Sequence, residues 1–213
     1  MLDKLSGIVD IKTEERPILD QDGNPSGANR FIVQIAGDQT LVDSDDYRQL
    51  ECIARKTEEK VNQSDIDGLY DIWWSDGIEF GLYNASMGGE LRGLIQMRDG
   101  NNGEYFNGTV DGLYYNIDTT RVVINTSAEY LGNMSKCTLS DTGGKINIGN
   151  QLYYYTDWTY EGDGKYSFTI DNKKSDMPLV NGKINSEAFV GAEVRYQGIP
   201  YYMEQMNEWI RDF

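Results

Sequence analysis

Apolar positions along this 213-residue chain follow two periods. Met87, Leu91, Leu94 and Ile95 recur at i, i+4, i+7 and i+8, the spacing of one helical face, and Ser86 stands where a hydroxyl caps a first turn. The pattern stops in Arg98-Asp99-Gly100-Asn101-Asn102-Gly103, a run that no helix tolerates. A second helical pattern fills "GIPYYMEQMNEWIRDF". There Ile199, Tyr202/Met203, Met206, Trp209/Ile210 and Phe213 repeat every seven residues, as a packed bundle or coiled-coil seam does. Pro200 suits its first turn, where the missing N–H is not needed. Leu2 and Leu5, with Gly7 at the place of a left-handed C-cap and Ile8 after it, read as the tail of a third helix. One turn is too short to stand alone and the far end carries no stop signal, so both ends are expected to cut through helices of a longer protein.

Alternation with a period of two marks the rest. "IVDIKTE" and "RFIVQIAGDQTLVD" read as strands, with "DQDGNPSGAN" as the loop between them and a tight turn at Gly37-Asp38. "YRQLECIARKTEE" fits either a strand or a short helix. "GLYDIWWS", a turn at Asp76-Gly77 and "IEFGLYN" read as a hairpin. Beyond residue 104, strands are expected at "RVVIN", "KINIG", "QLYYYTDWTYE", "KYSFTID" and "FVGAEVRYQ", with one helical turn at "TSAEYLGNM". Glu161-Gly162-Asp163-Gly164 carries the clearest hairpin turn. Both faces of "QLYYYTDWTYE" bear aromatics, so alternation alone does not say which one is buried. The fold class that follows is α+β and predominantly β.

Composition agrees, with 23 glycines, 15 tyrosines and only 4 prolines. The 35 acidic residues against 19 basic ones leave a charge of −16. Such a surface repels phosphate backbones and anionic lipid, so neither nucleic acid nor membrane is an expected partner. No apolar run approaches the ~20 residues of a spanning helix. The 2 cysteines, Cys52 and Cys137, are read as buried small hydrophobes rather than a pair.

Candidate chemistry is sparse. Histidine, the commonest general base, is absent. No nucleophile elbow or phosphate-binding loop occurs. Asp20, Asp22, Gly23 and Asn24 resemble the start of a calcium loop, but glycine is fourth instead of sixth and Phe31 stands where the twelfth-position glutamate belongs. Asp65/Asp67 and Asp45/Asp46 are carboxylate pairs of the kind a glycosidase uses, in a chain where adjacent acids carry little information. Trp73, Trp74, Tyr153, Tyr154, Tyr155 and Trp158 supply either a sugar-stacking platform or core packing. Asn62, Asn84, Asn107, Asn125 and Asn133 open Asn-x-Ser/Thr triplets, at a frequency the composition explains. The expectation is a protein that is not an enzyme, with no catalytic, cofactor-binding or metal residue assigned and no cofactor.

Three blocks in order resemble the family of flagellar hook-associated protein 1, the hook–filament junction proteins. "LDKLSGIVDI" is similar to the family's helix running into a first strand. "FIVQIAGDQTLVDSDDYRQL" resembles its strand–turn–strand. "GGELRGLIQMRD" followed by "GIPYYMEQMNEWIRDF" resembles a junction segment in which, in shorter members, the "RD" runs almost directly into the proline-containing helix.

Here about a hundred residues separate the two. The resemblance therefore implies two small β-rich domains, the second inserted into the first, with helices at the domain junction and the chain ends. Residues 1–100 and 197–213 would form the parent and 101–196 the insertion, with Gly100 and Gln197 side by side. It implies a structural protein of the bacterial flagellum, exported through the type III apparatus to the extracellular space and forming the outer domains of the junction. Its partners would be the hook protein and the second hook–filament junction protein, with self-association in a ring in the full-length protein. The alternative is a carbohydrate- or host-binding adhesin or phage-tail-like β module using exposed aromatics. Since its native partner would be the helix upstream of Leu2, the seam of the last helix is expected to be partly exposed and sticky here.

Overall fold

Strands dominate the computed structural model, which describes residues 2–56, 59–126, 138–175 and 181–213. The chain divides into two units, Met1–Ala54 with Tyr70–Ile95, and Arg55–Leu69 with Gln96–Phe213. Residues 55–69, 96–100 and 197–213, expected with the first unit, cluster with the second.

In the first unit, helix α1 (Leu2–Ile8) leads into an antiparallel sheet in sequence order, β1 (Ile11–Leu19), β2 (Pro25–Ile35), β3 (Gln39–Asp43) and β4 (Asp46–Tyr47). The sheet that holds Phe31–Ile35 is thus built from residues 11–47 alone. Gly7 lies inside α1, not in a left-handed cap after it. The expected loop of residues 20–29 is shorter, because β2 already starts at Pro25 and Leu19 pairs with it. The segment that fitted either element is strand β5 (Leu50–Ala54), paired with β6 (Tyr70–Trp74). The turn at Asp76-Gly77 forms, yet only one bridge, Trp73 to Glu79, follows it. The main partner of β6 is therefore β5 and not "IEFGLYN".

Cys52 corrects another expectation: it is exposed, because every residue of β5 is. Cys137, Asn133 and most of "TSAEYLGNM" lie outside the described residues. The core of this unit gathers Val9, Ile35, Trp74, Phe80, Leu82, Met87 and Ile95. Trp74 donates its indole N–H to Gln39 at 2.7 Å, stacks edge-on against Phe80 and carries the Arg48 guanidinium 4.0 Å from its ring.

Helix α2 (Gly89–Asp99) starts three residues after Ser86, whose amide instead bonds to the Asn84 side chain. Met87 is buried ahead of the helix, Leu91 and Ile95 face the core, and Leu94 is exposed. Met87 thus stands outside the helix, and within it only Leu91 and Ile95 of the expected stripe face the core.

In the second unit, six antiparallel strands close into a barrel in the order β10 (Gln151–Gly162), β11 (Lys165–Asp171), β8 (Thr119–Thr126), β7 (Phe106–Tyr115), β12 (Glu187–Val190) and β9 (Gly144–Ile148). Of these, β7 was not foreseen, since its Asn, Gly and Asp residues dilute the alternation. The β10–β11 turn pairs Gly162 with Lys165 across Asp163 and Gly164, both at positive φ, as a tight hairpin requires. The barrel interior is filled by Phe106, Val110, Ile124, Ile146, Tyr153, Tyr155, Tyr166, Phe168 and Ile170 among others. Burial pushes the Tyr155 hydroxyl up to about 12, and that oxygen accepts a hydrogen bond from the Ser140 amide.

A bulge in β10 after Tyr155 explains its two aromatic faces. Tyr153 and Tyr155 point inward before it, and Trp158 and Tyr160 pack against the same core after it. The last helix, α3 (Ile199–Arg211), starts as expected, with Pro200 in its first turn.

Candidate functional site: a buried polar neck

The chain enters the barrel at Gly100–Gly103 and returns at residues 192–198, and the two passes are bonded to each other. Gly198 N–H donates to the Gly100 carbonyl at 3.1 Å and Tyr201 N–H to the same oxygen at 3.2 Å. Asn101 forms a bridge with Gln197, and Asn102 N–H donates to the Tyr196 carbonyl at 2.8 Å. Bonded geometry then sets the Gly100 and Gln197 Cα atoms within about 8 Å, as expected for ends that leave side by side. The approach leaves no room for side chains. A Cβ on Gly100 would stand 2.4 Å from the Gln96 carbonyl oxygen and 2.6 Å from the Gly198 nitrogen. Here glycine is required by space, not by φ.

Beside this crossing lies a cluster of charged and amide side chains removed from water. Arg55, Asn62, Asp65, Asp99 and Asn101 are all buried. The Arg55 guanidinium sits between two carboxylates, 3.3 Å from Asp65 and 3.2 Å from Asp99. Arg98 closes on Asp99 from its other side, with Nε to Oδ1 at 2.8 Å and Nη2 to Oδ2 at 2.6 Å. Asp65 also accepts from the backbone N–H groups of Val61 and Asn62, at 2.9 and 3.0 Å. Asn62 donates to the Asp99 carbonyl at 3.0 Å. Asn101 donates to Asn62 and to the Ala192 carbonyl, and accepts from Val194 N–H. One continuous network thus ties the loop of residues 59–69, the end of α2 and both passes of the neck.

Its electrostatics are those of a strut. Burial pushes the Asp65 carboxyl above the usual carboxylate range, against the pull of the Asn62 amide, and Asp99 nearby adds to the rise. Glu59 behaves oppositely. Burial would raise it, but the Lys145 ammonium at 2.6 Å and the Lys56 amide outweigh that and hold it below the usual range. The network positions backbone, and its acids are engaged by cations or amides, so none is presented to a substrate.

The residues that sequence singled out are scattered. The Asp20 carboxylate accepts from the Asp22 and Asn24 amides, which makes it the cap of the β1–β2 turn. Asp65 belongs to the neck, whereas Asp67 is exposed and pairs with Lys60. Asp46 lies exposed on β4 after Asp45 in a turn. Trp74, Tyr153 and Tyr155 are buried in two separate cores, so the six aromatics form no common platform. Asn62, read as a triplet opener, is buried and bonded. Among the described residues, no group of three or more His, Cys, Asp or Glu is placed to hold a metal, and no helix is long and apolar enough to cross a membrane. Sequence reasoning missed Arg55, Asp99 and Asn101 as partners. The available signal was a lone arginine in "CIARK" and the amide-rich run directly after a helix end. Comparison with protein-family models, with curated proteins and with solved structures gives no match.

Proposed function

We propose that this chain is a structural part of a hook–filament junction protein of the bacterial flagellum, exposed on the outside of the junction and free of catalytic activity. Its partners are then the hook protein and the second junction protein, in a ring of its own copies, after export to the extracellular space. The observation that supports this reading most is the neck. The helix ending in "RD" and the helix starting at "GIP" are joined through the Gly100 carbonyl, although about a hundred residues separate them. A relative lacking the barrel closes there without moving either helix, because a short loop suffices to connect such ends. The −16 charge suits a surface that faces water and neither lipid nor nucleic acid.

Deleting the gene in a motile source strain tests the reading. The expected phenotype is cells with hooks but no attached filaments, restored by the intact gene. Normal filaments in the deletion strain would refute it.

A further inference from the structure

Helix α3 is mounted back to front. The side it turns to its own unit is polar: Glu204 is buried and accepts a bond from Arg211 at 3.2 Å, while along one flank Met203 and Ile210 join Glu204, Asn207 and Arg211 in lining a cleft of about 490 Å³ with Gln63, Ser64 and Asp141. The side it turns to water is apolar. Ile199, Tyr202, Met203, Met206, Trp209 and Ile210 of the helix are all exposed, as is Phe213 two residues past its end, from 41% for Met203 to 93% for Phe213. Amphipathic helices of folded domains normally bury the apolar stripe, and a patch of this kind marks an interaction surface.

We infer that this face is a homodimer interface, in which α3 pairs antiparallel with α3 of a second copy about a two-fold axis through Met206. The spacing carries the argument. Counted from Met206, large apolar residues stand three, four and seven positions before it and three, four and seven positions after it. An antiparallel pair therefore sets Met206 on Met206, Tyr202 and Met203 on Ile210 and Trp209, and Ile199 on Phe213. A closed two-fold interface needs this self-complementarity.

Area agrees with the geometry. A fully covered aromatic contributes ~150–250 Å². Seven large side chains with about half their surface free then supply on the order of 500–900 Å² per copy, a range that takes in the ~800 Å² per partner of a standard specific interface. Gln205 and Asn207, the neighbours of Met206, are uncharged, so no like charges meet beside the axis. The pairing does not depend on the flagellar reading.

Sedimentation velocity on the 213-residue chain from micromolar to ~200 µM (a range in which interfaces of modest affinity assemble) should show a concentration-dependent dimer. Met206→Glu sets two like charges on the axis and should weaken it about tenfold or more, with unchanged circular dichroism because Met206 is exposed. Trp209→Ser should weaken it through lost area, with no charge added. In a Cys52→Ser, Cys137→Ser background, Met206→Cys should oxidise to a self-linked dimer. Ile199→Cys should link to Phe213→Cys and not to itself. A monomer at the highest concentration, a dimer untouched by both α3 variants, or self-linking of Ile199→Cys would overturn the inference. So would capture of a monomeric chain by phosphatidylcholine vesicles through the same face.

Discussion

Arg55→Met removes the cation held between Asp65 and Asp99 while keeping most of the side-chain volume. Asp99 retains the two bonds from Arg98, and Asp65 retains two backbone N–H groups, so neither acid is stripped completely. Breaking a buried ion pair from one side costs about 3–5 kcal/mol. The remaining partners put this case at the lower end, about 3 kcal/mol, or a fall of roughly 10 °C in melting temperature for a unit of this size. Urea unfolding at pH 7, followed by fluorescence and far-UV circular dichroism, measures the loss. Acidification adds a sign test. Asp65 already has a raised carboxyl, and without Arg55 it rises further, so lowering the pH neutralises the stranded charge and shrinks the deficit. A loss under about 1 kcal/mol at pH 7, within the range of surface pairs, would refute the strut. A deficit that grows on acidification would refute its charge logic.

Gly100→Ala drives a methyl into backbone atoms and should cost about 1–3 kcal/mol by thermal melting. Gly93→Ala, in open space within α2, should be neutral or gain up to about 1 kcal/mol. In wild type, the raised Asp65 carboxyl gives stability that is complete below the unfolded value near ~4 and is lost as pH rises through the folded one. The stability of wild type relative to Asp65→Asn should therefore fall with rising pH above ~4 in paired urea titrations. Cys52, exposed on β5, should react fully with a maleimide in the folded protein, read by peptide mass spectrometry. Protection of Cys52 would contradict its placement.

The legible parts of the sequence were those set by short-range chemistry. Asp163-Gly164 announced its hairpin because few residues other than glycine and aspartate take that backbone, and Pro200 announced the start of α3. Periodicity failed where the backbone shifts frame. The bulge in β10 turns Tyr155 and Trp158 to the same core although they stand three apart. The start of α2 at Gly89 likewise leaves Met87 ahead of the helix that its spacing suggested. Side-chain partnerships across long separations were not legible. Arg55 and Asp99 meet 44 residues apart, and nothing local distinguishes either from other charged residues of the chain. β5 showed its apolar residues but not that its sheet has two strands, which leaves Cys52 in water.

Antibodies raised against the barrel and gold-labelled for electron microscopy of intact cells from the source strain test the central claim most directly. The junction reading predicts one narrow band of gold on each flagellum, where the curved hook meets the filament. Gold spread over the cell body, or along the filament, would contradict it.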